Sequence, residues 1–116
     1  MKVVAVVRDL FFVARIRETA RLVGTTLAFA RSPQEIAAAV GPETPTLAIV
    51  DLTTSGWDYG AIFDALEAAP GVPVLGYTTH ALARATHPLH ARCRRVVTKE
   101  TLTEELPAIL QHGLAA

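Results

Sequence analysis

The feature that most restricts this chain is a short apolar run that stops abruptly at a carboxylate: Leu47 to Val50, then Asp51. An apolar stretch without polar alternation reads as a strand covered on both faces, as in a parallel sheet sandwiched between helices. The C-terminal edge of such a sheet is where open α/β folds bind their ligands. Asp51 therefore falls at a ligand-binding edge. A turn-prone segment follows (Thr53, Thr54, Ser55, Gly56), and Trp57 and Asp58 then lead into a helical pattern.

The other segments fit the same scheme. Lys2 to Val7 is a β-branched run ending at Arg8 and Asp9. Val13, Ile16, Ala20 and Val23 line one face of a helix, with Arg15, Arg17, Glu18 and Arg21 on the other, and Gly24 suits its left-handed end. Thr26 to Phe29 reads as a second strand. Ser32, Pro33 and Glu35 predict a helix start with a capping box. Ile36, Ala37 and Val40 supply that helix's apolar face, and Gly41-Pro42 ends it. Ile62, Phe63 and Leu66 mark a third helix, stopped by Pro70 and Gly71. Val72 to Tyr77 reads as a fourth strand finishing at Thr78, and Ala81 to about Arg92 as a helix that Pro88 interrupts. Arg95 to Thr98 reads as a fifth strand finishing at Lys99. A last helix spans Thr103 to His112, where Pro107 is tolerable only if the helix starts near Thr103. Five strands alternating with five helices predict a three-layer α/β/α sandwich around a five-stranded parallel sheet in the order 2-1-3-4-5.

At 116 residues the chain suits one domain, 1–116. It ends just after its last helical pattern, which sets the expectation of no output domain. The formal net charge is zero, so nothing draws the chain to nucleic acid or to an acidic membrane. Cys93 is the single cysteine, which excludes an internal disulfide and fits the cytoplasm. No run approaches a membrane span.

In the predicted sheet order the strand ends carry Arg8 and Asp9, Asp51, Thr78 and Lys99. Apart from Arg8, these are the groups an aspartyl-phosphate site needs. One carboxylate attacks a phosphoryl group, and a second helps hold Mg²⁺, which takes hard oxygen ligands. A hydroxyl and an ammonium bind the remaining phosphoryl oxygens.

Over essentially its whole length the chain resembles the receiver domains of two-component response regulators, which share the flavodoxin-like sandwich. Asp51-Leu52 followed by Gly56-Trp57-Asp58 is similar to the family's phosphoacceptor strand and loop. Pro73-Val74-Leu75 leading to Thr78 is similar to its fourth strand and hydroxyl, and Val97-Thr98-Lys99 to its fifth strand and lysine. The resemblance implies Asp51 as phosphoacceptor, Asp9 and Asp51 as Mg²⁺ ligands, and Thr78 and Lys99 as the phosphoryl-sensing pair. Its implied partners are a histidine kinase or a downstream effector protein. The chain departs from the pattern at four places: Arg8 replaces the first of two acidic residues, Ser55 and Glu100 replace prolines, and Val96 replaces the aromatic switch residue.

Arg8 divides the readings. A guanidinium beside Asp51 can pair with it bidentately where Mg²⁺ would bind, whereas an Arg8 turned to solvent leaves Asp9 and Asp51 to coordinate metal with fewer charges. The first reading is therefore an atypical, stand-alone receiver acting through protein–protein interaction, accepting a phosphoryl group on Asp51 and doing no other enzymatic chemistry. The second is a pseudo-receiver interaction module, never phosphorylated, with Arg8 in the metal site and Mg²⁺ weak or absent. A small ligand-binding α/β domain is more distant, because neither a dinucleotide fingerprint nor a P-loop is present.

Other residues read more plainly. Asp9 serves equally as a helix cap. Trp57 and Tyr59 read as rings over the sheet rim, with a partner anchor as the alternative. His80, His87 and His90 read as exposed helix residues, and His112 as one facing a helix dipole. Arg92, Arg94 and Arg95 read as a solvated basic face.

Overall fold

Strands covered on both faces need two helix layers, and the chain supplies them. The computed structural model describes residues 1–69 and 71–114. The apolar runs become β1 (Lys2–Val6), β2 (Thr26–Ala30), β3 (Leu47–Asp51), β4 (Val74–Thr78) and β5 (Arg95–Thr98). All neighbouring strands are parallel, in the order β2-β1-β3-β4-β5. Between and after them run α1 (Leu10–Val23), α2 (Ile36–Val40), α3 (Tyr59–Glu67), α4 (Ala83–His90) and α5 (Lys99–His112). This is the flavodoxin-like three-layer sandwich read from the sequence. The expected helix stop at Pro70 and residues 115–116 of the expected domain lie outside the described residues.

Alternation along the strands divides the core in two. Val3, Ala5, Val7, Leu47, Ile49, Leu75 and Tyr77 face α1 and α5, where they meet Phe12, Ile16, Leu102 and Leu106. Val4, Val6, Ala48, Val50 and Val74 face the other way, onto Ile36, Ile62, Phe63 and Leu66 of α2 and α3. Each fully buried aliphatic side chain contributes roughly 1.5–3 kcal/mol, so β3 and β4, buried at every position, anchor the molecule. In β4 the backbone at Gly76 leaves no room for a side chain: an added Cβ would lie 2.8 Å from both Cys93 Sγ and Leu52 Cδ1.

Packing against Gly76 also governs Cys93. Burial pushes its thiol up to about 11, which leaves about a hundredfold less thiolate than an ordinary cysteine has. Only the thiolate is a good nucleophile. Cys93 is therefore expected to react with a thiol reagent at pH 8 on the order of a hundredfold more slowly in the folded protein than in urea. Equal rates would show that it is open to solvent.

Three local expectations are corrected. Ser32 makes no capping box: its side chain caps no backbone N–H and instead meets Glu35 Oε2 at 3.1 Å. The segment accordingly starts as a 3₁₀ turn, Pro33–Glu35, before α2. α4 begins at Ala83, after a turn in which the Leu82 N–H donates to Thr79 Oγ1 at 3.2 Å, and it keeps Pro88 inside it. α5 starts a full turn before Thr103 because Thr98 caps it, accepting from the Thr101 N–H at 3.2 Å. Pro107 is thus interior. Its position is exposed, so its ring crowds no core side chain, although the helix still loses one backbone donor there.

Candidate functional site

Asp51 ends β3 with its side chain only 3% exposed. Its carboxylate folds the following chain around itself. Oδ1 accepts from the Thr53 N–H at 2.8 Å and from Thr53 Oγ1 at 2.6 Å, and Oδ2 accepts from Thr54 Oγ1 at 3.3 Å. Aspartate commonly forms such a turn with the backbone two residues on. Tyr59, at the start of α3, secures the loop. Its hydroxyl donates to the Asp51 carbonyl at 2.7 Å and accepts from the Thr54 N–H at 2.9 Å. Burial pushes the Tyr59 phenol up to about 12, so it keeps its proton.

Asp9 and Lys99 meet although 90 residues separate them. Asp9 takes the cap role weighed for it and also pairs with Lys99. Oδ1 caps α1 by accepting from the Phe11 and Phe12 N–H groups, at 2.9 and 3.4 Å, while Oδ2 accepts from Lys99 Nζ at 3.0 Å. The bond from Lys99 holds the Asp9 carboxyl below the usual carboxylate range. A depressed folded pKa makes this contribution fully present above the ordinary carboxylate pKa, and it is lost as pH falls through the lower folded value. Both side chains are somewhat over a third exposed, and a pair of that kind contributes at most about 1 kcal/mol. Lys99 Nζ also lies 5.1 Å from the centre of the Phe12 ring. A groove lined by Thr79, His80, Thr98, Lys99 and Thr103 opens beside it.

Arg8 does not enter this pocket. It is exposed, and among the described residues it forms neither an ion pair nor a side-chain hydrogen bond with Asp51. Of the two placements weighed for Arg8, the structure therefore has the one turned to solvent. Strand alternation explains it. Asp51 continues the inward series of Leu47 and Ile49, and Asp9 continues that of Ala5 and Val7, whereas Arg8 continues the opposite series of Val4 and Val6.

Thr78 is turned the other way as well. Its hydroxyl pairs with Thr86 Oγ1 of α4 at 2.9 Å, and Thr86 Oγ1 lies 3.0 Å from His90 Nε2. Among the described residues, therefore, the structure joins Asp9 to Lys99 but leaves Asp51 on Thr53 and Thr54, and Thr78 on Thr86. Thr53, Thr54, Tyr59, Thr86 and His90 were not singled out in these roles. The turn after Asp51 had a sequence signal in its Asp-x-Thr spacing. The Thr78–Thr86–His90 chain had none, because it depends on how α4 sits against β4.

The remaining residues sort as follows. Trp57 packs edge-on to Tyr59, with ring centres 6.1 Å apart. His87 is exposed as expected, but His90 is half-buried through its contact with Thr86. The basic face is partly neutralised: Arg92 reaches Asp64 and Glu67 of α3 at 3.0 and 2.7 Å, and Arg95 reaches Glu105 of α5 at 3.0 Å. Val96 is half-buried against the α2–α3 side of the core.

Solved structures give this arrangement its context. NtrX from Brucella abortus superposes with a TM-score of 0.79 at 17% identity, over 97% of this chain and 26% of that one. The chemotaxis response regulator CheY4 of Vibrio cholerae superposes with a TM-score of 0.75 at 20% identity, over 97% of this chain and 98% of that one. The chain has the receiver-domain fold. The receiver domain of the sensor histidine kinase PA1611 from Pseudomonas aeruginosa, solved with magnesium in its active-site cleft, superposes with a TM-score of 0.74 at 18% identity, over 95% of this chain and 93% of that one. At these identities the likeness is one of fold. The chain spans about a quarter of the length of NtrX. No family model matches the chain, and no curated protein matches it in sequence. Among the described residues no helix of this receiver fold is long and apolar enough to cross a membrane.

Proposed function

We propose that this chain is an atypical receiver, a signalling domain that accepts a phosphoryl group on Asp51 and acts by contacting another protein. The observation that supports this most is the Asp9–Lys99 pair at the sheet edge where Asp51 ends β3, with Arg8 exposed and unpaired to Asp51. In the reaction an Asp51 carboxylate oxygen bonds to phosphorus as the donor's own bond to phosphorus breaks. With acetyl phosphate, acetate leaves. Lys99 compensates charge on the phosphoryl oxygens, and catalysis of this kind rests on positioning and electrostatics.

The residues fit Mg²⁺ at the lower end of its usual requirement. The ion is commonly held by one or two carboxylates together with water and phosphate oxygens. Asp9 and Asp51 would hold it, since they follow and end the neighbouring strands β1 and β3. Asp51 Oδ2 has the looser protein contact, at 3.3 Å, and is the oxygen better placed to be freed. When bound, the ion neutralises developing phosphoryl charge.

One observation favours the second reading, an interaction module that is never phosphorylated. Asp51 is buried and both its oxygens are engaged by Thr53 and Thr54. Intact mass after incubation with Mg²⁺ and acetyl phosphate separates the two. The expected result is one added phosphoryl group on the wild type and none on Asp51→Asn, whose amide oxygen can still accept from Thr53. An unmodified wild type would leave the interaction module as the reading.

A further inference from the structure

Tyr77 is fully buried in β4, yet its hydroxyl has no hydrogen-bond partner among the described residues. Leaving a buried donor unpaired is costly, and such a group calls for an explanation. Its surroundings supply one. Tyr77 is the register partner of Asp51 across the β3–β4 ladder. It follows Leu75 on the face that also carries Ile49, so the Tyr77 and Asp51 side chains are lateral neighbours on one side of the sheet. The Tyr77 ring stacks on Phe12, with centres 4.8 Å apart, and Lys99 Nζ lies over that same Phe12 ring.

We propose that the Tyr77 hydroxyl is a direct ligand of an oxyanion carried on Asp51, donating a hydrogen bond to one phosphoryl oxygen. This rests on the reading of Asp51 as a phosphoacceptor and adds a residue to that site. A tyrosine keeps its proton near neutral pH, so the hydroxyl is available as a donor. Asp51 sits opposite it across the ladder, yet the hydroxyl makes no hydrogen bond of normal geometry there. A phosphoryl group brings three strong acceptor oxygens to this place.

Tyr77→Phe keeps the ring and removes only the hydroxyl. The test measures beryllofluoride binding, a phosphoryl mimic, in the presence of Mg²⁺, together with the Tm of the unliganded protein. The variant is expected to bind beryllofluoride about tenfold or more weakly, the range for a hydrogen bond to a charged group. Its unliganded Tm is expected to rise, because an unpaired buried donor is gone. Unchanged affinity would overturn the assignment. A lower unliganded Tm would overturn it too, by showing that the hydroxyl already has a partner. A wild type that binds no beryllofluoride would sink the phosphoacceptor reading itself and this inference with it, whereas binding by the wild type that Tyr77→Phe leaves intact sinks the inference alone.

Discussion

Arg8→Asp is expected to raise Mg²⁺ affinity roughly thirtyfold at low salt, since at about 8 Å in water each of the four unit-charge interactions altered is worth roughly 0.5 kcal/mol. Four are altered because a single positive charge becomes a single negative one beside a doubly charged ion. Arg8 is exposed and directly precedes Asp9 in the chain, so it acts on the pocket through its field and not by blocking it. Titration of the wild type and the variant by calorimetry at two salt concentrations checks the size and the origin of the effect. A field effect shrinks as salt rises. No gain at low salt would place the limit elsewhere, in the hold of Lys99 on Asp9 or of the two threonines on Asp51.

Phe63→Ala is expected to cost about 3–5 kcal/mol, the range for truncating a buried aromatic ring. Phe63 is 2% exposed and central to the α2–α3 side of the core. Tyr59 lies beside it, with ring centres 6.5 Å apart, and the Arg92 guanidinium lies 5.1 Å from its ring centre. The loss therefore reaches the site: a looser Tyr59 holds the Asp51–Thr54 loop less firmly. Thermal unfolding should show a Tm lower by roughly 10–20 °C. A drop of only a few degrees would mean that the core closes over the cavity.

The placement of the candidate residues was legible in the chain, because they sit at or just after strand ends. Asp51, Asp9, Thr78 and Lys99 each follow a run that announces a buried strand, so sheet order alone brings them to one edge. Their hydrogen bonds were not legible. Asp9 reaches Lys99 across most of the chain, and Thr78 turns to Thr86 because of the seat of α4. Arg8 shows the same limit, since the sequence leaves open whether it pairs with Asp51 or faces solvent, and the fold turns it outward. The helix ends differ from expectation where a side chain chooses among competing partners: Ser32 meets the Glu35 carboxylate, and Thr98 caps α5 a turn early.

By itself the sequence determined the class of fold, the strand order and the edge at which the carboxylates gather, because apolar periodicity and strand–helix alternation are local properties that restrict how surfaces can be buried. Tertiary structure decided which groups touch. Only the register of β3 against β4 sets Tyr77 beside Asp51, and only the meeting of α1 with the start of α5 gives Asp9 its lysine. Those contacts depend on lateral placement between segments far apart in the chain, and a one-residue slip in register would send each side chain to the opposite face of the sheet.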